Sequence, residues 1–210
     1  MLSLVSSVRQ WLLQQRKLKV PDDWLEACVD WIQSEHQGPG PLRTSDVNSL
    51  VYEQWLVCDL REIEASCLPA NLKQQTKVPL SGIFNLQINS VVDVGAPFYG
   101  QLQKVRGTDN ANVEVTATQA TQAARWEPKP SRMLMLSVTD GTHDVKIMEY
   151  RPIQCLDVNI TPGTKIQVSG NVFCRLGVIM AQSQNIKVLG GEVDSLAETN
   201  TPESVLTNAL

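Results

Sequence analysis

The sequence predicts an α+β chain: an N-terminal three-helix bundle followed by a five-stranded OB-fold β-barrel with a long inserted loop. Three observations predict it. Up to residue 65, apolar residues recur at helical spacing. From Gly82 onward they alternate along short runs separated by turn signals. Residues 96–131 join the first two of those runs where a few residues would suffice, and they carry no regular pattern. The expected units are a helical module at 1–65, a linker at 66–80, the barrel at 81–191 with its insertion at 96–131, and a C-terminal tail at 192–210.

Ser3 to Lys17 reads as the first helix, with Leu4, Val8, Trp11 and Leu12 on one face and Ser3 able to cap it. Pro21 suits the first position of a second helix, where Asp22 and Asp23 complement the positive end of the dipole. Its stripe is Trp24, Cys28, Trp31 and Ile32, and the Gly-Pro-Gly-Pro run at 38–41 ends it. The third helix starts at Thr44 or Ser45 and carries Val47, Val51, Trp55 and Cys58. Trp24, Trp31 and Trp55 are expected to pack together as the core of this module. Ser66 to Pro79 is polar and interrupted by prolines, which marks it as a linker.

Phe84 to Val92 alternates as the first strand, and Arg132 to Thr139 as the second. Asp140-Gly141 signals a hairpin turn into Asp144 to Tyr150. Pro162-Gly163 turns into a strand at Lys165 to Val172, and a last pair covers Leu176 to Ala181 and Asn185 to Leu189. Ile153 to Ile160 falls where an OB-fold carries its helix or connecting loop, and a closed barrel is the economical arrangement for so few strands. The insertion is rich in Asn, Thr, Ala and Gln in its middle, but its ends hold Phe98, Tyr99, Leu102 and Val105 before and Trp126 after. That pattern suits a loop that reaches for a partner. Lys104 and Arg106 add to a basic bias in the insertion.

The net charge of -4 argues against strong non-specific nucleic-acid binding by the chain. The five cysteines are odd in number and form no C-x-x-C pair, and the two histidines are far apart in sequence, so no metal site is expected and a reducing compartment is. No phosphate-binding glycine loop, zinc-protease helix or serine-hydrolase elbow is present, so neither catalysis nor a cofactor is expected. On the second and third strands, Leu134, Leu136, Val138, Val145 and Ile147 should face inward. Met133, Met135, Lys146, Met148 and Tyr150 should face outward, with Lys165 nearby. Methionine suits adaptable protein contacts. One aromatic is a poor platform for stacking bases, so protein binding is favoured, and a single-stranded DNA-binding OB-fold protein is the alternative.

Several blocks are specific: Val20–Gln33 (VPDDWLEACVDWIQ), Glu53–Glu64 (EQWLVCDLREIE), Leu86–Val94 (LQINSVVDV), Trp126–Gly141 (WEPKPSRMLMLSVTDG), Pro162–Ile166 (PGTKI) and Lys187–Val193 (KVLGGEV). With them, the chain closely resembles the N-terminal region of the RecQ-mediated genome instability protein 1 family. The resemblance implies a helical module plus an OB-fold with an insertion. It implies binding to topoisomerase III alpha and the Bloom syndrome helicase, in a nuclear complex of homologous recombination and DNA repair that dissolves double Holliday junctions without crossovers. It also implies that the insertion contacts the topoisomerase gate. Members of the family continue into a second OB-fold, whose contacts are expected to be absent from residues 1–210.

Overall fold

The computed structural model describes residues 2–36, 40, 42–108 and 132–210. Helices α1 (Leu2–Trp11), α2 (Asp22–Glu35) and α3 (Thr44–Val57) form the bundle, and a single turn, α4 (Leu60–Ile63), leads out of it. Helix α1 runs on through a widened turn at Leu12–Arg16 and stops at Lys17, which takes a left-handed conformation with φ 55°. The Arg16 guanidinium then lies 5.3 Å from the centre of the Trp11 ring and 4.3 Å from that of Tyr52, tying α1 to α3.

The bundle core is Val5, Val8, Leu12, Leu25, Val29, Ile32, Val47, Val51 and Trp55. This corrects the reading of α2. Trp55 is buried, but Trp24 only flanks the core and Trp31 is 49 % exposed. The buried stripe lies one residue further along, on Leu25, Val29 and Ile32. Both stripes obey the 3.6-residue period, and the compact aliphatic side chains, not the wide indoles, fit between α1 and α3.

The barrel closes in the circuit β1–β2–β3–β5–β4–β1. The first half of β1 (Val78–Asp93) pairs antiparallel with β4 (Lys165–Arg175), and its second half pairs with β2 (Leu134–Thr139). Strand β2 pairs with β3 (Asp144–Glu149), β3 runs parallel to β5 (Val178–Ala181), and β5 returns to β4. A 3-10 turn at Ser183–Asn185 interrupts the fifth strand, and β6 (Ile186–Gly190) resumes it beside the start of β4. The core holds Leu86, Ile88, Leu134, Leu136, Val138, Ile147, Ile166, Val168 and Ile179, with Ile153 and Leu156 from the connecting loop.

Two segments differ from their sequence reading. The stretch assigned as linker is built into the barrel. Leu68 and Leu72 are core residues, and Val78–Leu80 already belong to β1. Polar composition hid this, because the core contacts of the stretch rest on two leucines four residues apart. The stretch assigned as tail folds into α6 (Asp194–Thr199) and α7 (Pro202–Ala209). Thr201 caps α7 by accepting from the Ser204 N–H, Pro202 opens it, and Leu206 is buried.

Candidate protein-interaction surface

The strand phase on the outer barrel face is as the alternation predicted. Leu134, Leu136, Val138, Val145 and Ile147 are buried, while Met133 and Tyr150 are exposed and Met135 and Met148 half-buried. Cross-strand register then assembles a row that no single strand displays. Met135 lies opposite Met148, Met148 opposite Met180, and Met180 opposite Phe173. The neighbouring row runs Ser137, Lys146, Val178, Arg175. Phe173 and Met180 were missed by the sequence reading. The signal for Phe173 was present, since it alternates with the inward Val172 and Cys174, but its place beside the methionines depends on the β4–β5 pairing.

The beginning of the insertion is a helix, α5 (Phe98–Val105), where the sequence suggested an irregular loop. Leu102 is buried, Phe98 half-buried, and Tyr99 63 % exposed; Lys104 is exposed. The Gln101 amide donates to the carbonyls of Asp93 (2.7 Å) and Ala96 (2.9 Å), which fixes the helix on the end of β1. Helix α7 packs along α5, and Arg106 pairs with Glu203 at 2.8 Å. The basic bias expected of Arg106 is therefore offset by an acid from the segment taken as a tail. Asn200 donates to the Asn89 carbonyl at the bulge in β1, holding α6 and α7 on the barrel. Trp126 and residues 109–131 as a whole lie outside the described residues.

Lys165 does not join the outer face. It is fully buried at the seam between module and barrel, where Nζ donates to the carbonyls of Leu56 (3.0 Å) and Gly163 (2.8 Å). Burial pushes its ammonium down to about 8, against the opposing pull of Asp59. The seam is tight. A Cβ at Gly191 would strike the Leu56 carbonyl oxygen, and one at Gly141 the Leu60 carbonyl oxygen, and both glycines have positive φ. Gln87 completes it, accepting from the Leu60 N–H at 3.0 Å and donating to Asp59 at 2.8 Å. Lys165 is thus a positioning residue for the module, and its sequence context near a turn could not reveal that.

Two buried acids were also missed. Asp140 has no exposure, and its carboxylate accepts from the backbone N–H groups of Cys67, Leu68, Thr142 and His143 at 2.7–3.0 Å. Burial alone would raise its pKa; these bonds outweigh burial and hold it below the usual carboxylate range. Glu149 accepts from Arg132 (2.6 Å) and from the N–H groups of Leu134 (3.0 Å) and Ile153 (2.6 Å), with the same outcome.

Ser66, His143 and Asp140 lie together, but their geometry is not that of a nucleophilic triad. Ser66 Oγ and Asp140 Oδ2 both approach the same ring nitrogen, Nδ1, at 3.4 Å, so the imidazole has no second face turned to the serine. Burial pushes the Cys28 thiol up to about 11, which leaves it un-ionised and poorly nucleophilic. Among the described residues, no cluster of three or more His, Cys, Asp or Glu is placed to hold a metal ion. No helix of the described residues is long and apolar enough to cross a membrane. What the surface offers is contact area: the half-buried methionine row, the α5 helix and the seam-held module.

Comparison with known proteins gives two domain matches. Residues 12–63 match "RMI1, N-terminal helical domain" and residues 68–204 match "RMI1, N-terminal OB-fold domain". The second match begins inside the stretch read as linker and ends within α7, in keeping with the packing of both. Curated relatives called RecQ-mediated genome instability protein 1 are similar over almost the whole chain. The Gallus gallus protein is 49 % identical over 209 residues (99 % of this chain, 33 % of the relative), and the Mus musculus protein 46 % over 208 (99 % and 34 %). The Xenopus laevis protein is 45 % identical over 207 residues (99 % and 37 %). The chain spans about a third of the length of these relatives.

Proposed function

The chain belongs to the RecQ-mediated genome instability protein 1 family, and from that premise we propose that it serves genome stability as a non-catalytic scaffold. In this reading it joins topoisomerase III alpha to the Bloom syndrome RecQ helicase in the nucleus, stimulates double Holliday junction dissolution and limits crossovers. The relatives' name carries the link to a RecQ protein and to genome stability. The observation that carries the scaffold role is the built root of the insertion. Helix α5 is pinned by Leu102, Gln101 and Arg106, yet it turns Tyr99 and Val105 outward, where a plain connection would have no use for a rigid apolar face.

Phe98, Tyr99 and Lys104 meet the topoisomerase from α5, and Trp126 from the far end of the insertion. Met133, Met135, Lys146, Met148 and Tyr150 on the β2–β3 face serve partner binding apart from α5, and are not assigned to the topoisomerase. Lys165 acts through the module that it holds in place.

Replacing residues 109–131 with a short Gly-Ser linker spares α5, Arg106 and the α7 clasp. We expect the melting transition to be retained, because a loop contributes little to stability beyond its closure entropy. We expect co-precipitation with topoisomerase III alpha and stimulation of dissolution to be lost, and Tyr99→Asp to weaken both. Normal stimulation by the shortened protein would make the insertion passive. Tight, steeply salt-dependent binding of the chain alone to single-stranded DNA would replace the scaffold reading with the nucleic-acid one.

A further inference from the structure

We propose that the face formed by β3, β5 and β4 is a second docking surface, one that takes a short extended acidic segment with apolar or aromatic anchors from a partner protein. It needs neither the insertion nor the topoisomerase. The row Met135, Met148, Met180, Phe173 crosses four strands in register. At about 4.8 Å between neighbouring strands it spans about 14 Å, the reach of about five extended residues. It opens into a groove of about 390 Å³ lined by Tyr150, Phe173, Met180, Arg175, Asn171 and Gln184. Tyr150 is 55 % exposed and Phe173 46 %.

Charge decides the occupant. The chain as a whole carries -4, yet the ions around this row are cations. Lys77 Nζ stands 4.3 Å from the centre of the Phe173 ring, Arg175 lines the groove, Lys146 lies in the next register row, and exposed Arg151 follows Tyr150. Among the described residues, the nearby acids are engaged: Glu149 is buried on Arg132, Asp144 pairs with Arg61, and Asp93 accepts from the Met133 and Gly95 N–H groups. A basic rim around an apolar row is complementary to an acidic, apolar-anchored peptide. Thioethers tolerate varied anchors and stack no bases. Phe173 already carries a cation over its ring, which leaves Tyr150 as the free platform, and one platform is too few for single-stranded nucleic acid.

The methionines make the test direct, because four of the five in the chain (Met133, Met135, Met148, Met180) belong to this face. The chain of residues 1–210 is labelled with 13C at the methionine methyls. It is titrated with a dodecapeptide alternating Glu with Phe and Leu, with the same peptide carrying Lys for Glu, and with a twelve-nucleotide oligothymidine. The acidic peptide should shift the Met135, Met148 and Met180 methyls. Arg175→Glu should weaken that binding by about tenfold, as expected of a charge reversal at a rim. Phe173→Ala should remove the shifts while the thermal melt stays cooperative; should Phe173→Ala unfold the chain, Arg175→Glu remains the deciding variant. No shift with the acidic peptide, equal binding of the basic one, or tighter binding of oligothymidine at the same methyls would each overturn the proposal.

Discussion

Asp140→Ala tests the seal between the pre-barrel segment and the barrel. The wild-type carboxylate is unexposed and accepts from the N–H groups of Cys67 and Leu68, both at 2.7 Å, besides two N–H groups of its own hairpin. In the alanine variant, water reaches the hairpin rim at exposed Thr142 and half-buried His143, but Leu68 is 5 % exposed and its N–H has no replacement. The Leu68 N–H that loses its acceptor gives a loss of about 1–3 kcal/mol. That is a sizeable share of the about 5–15 kcal/mol available to a folded domain. Urea unfolding followed by circular dichroism measures it, and Asp140→Asn, which keeps one acceptor oxygen, should fall between. The pH dependence has a definite sign. The folded carboxyl titrates below its ordinary value, so its stabilisation is present above about pH 4 and lost as pH falls through the lower folded value. The gap between wild type and Asp140→Asn should therefore narrow in acid. An Asp140→Ala loss under about 1 kcal/mol, or a gap that widens in acid, would refute the reasoning.

Other substitutions separate positioning from contact. Lys165 titrates at about 8 when folded and near 10.5 when unfolded, so between those values this group's own contribution to stability rises with pH, against the opposite contribution of the raised Cys28 and Cys58 thiols. Lys165→Met should lack that rise, and a parallel pH profile of melting temperature in the two proteins would count against it. Arg132→Met leaves the unexposed Glu149 carboxylate without its cation and should cost about 3–5 kcal/mol in chemical denaturation. In the module, Trp55→Ala should cost about 3–5 kcal/mol, whereas the half-exposed Trp31→Ala should stay within about 1 kcal/mol; equal losses would mean that the core has been assigned to the wrong stripe.

The amino-acid sequence by itself determined the three N-terminal helices, the strands of the barrel and the inner and outer faces of β2 and β3, but not α5, α6 or α7. Those properties follow from periods of 3.6 and 2 that are written in neighbouring residues: Leu134, Leu136 and Val138 turn inward because the pleat allows nothing else. Its long blocks also marked the family. Period cannot choose between adjacent stripes, and so Trp31 lies outside a core that Leu25, Val29 and Ile32 fill. Only the tertiary structure decided which residues meet across distance. Lys165 reaches Leu56 over 109 residues, Asp140 reaches Leu68 over 72, and the methionine row continues to Phe173 through a parallel strand pair. The physical reason is that a buried charge or an exposed row is defined by what packs beside it, and barrel closure brings together strands whose own residues carry no record of their neighbours.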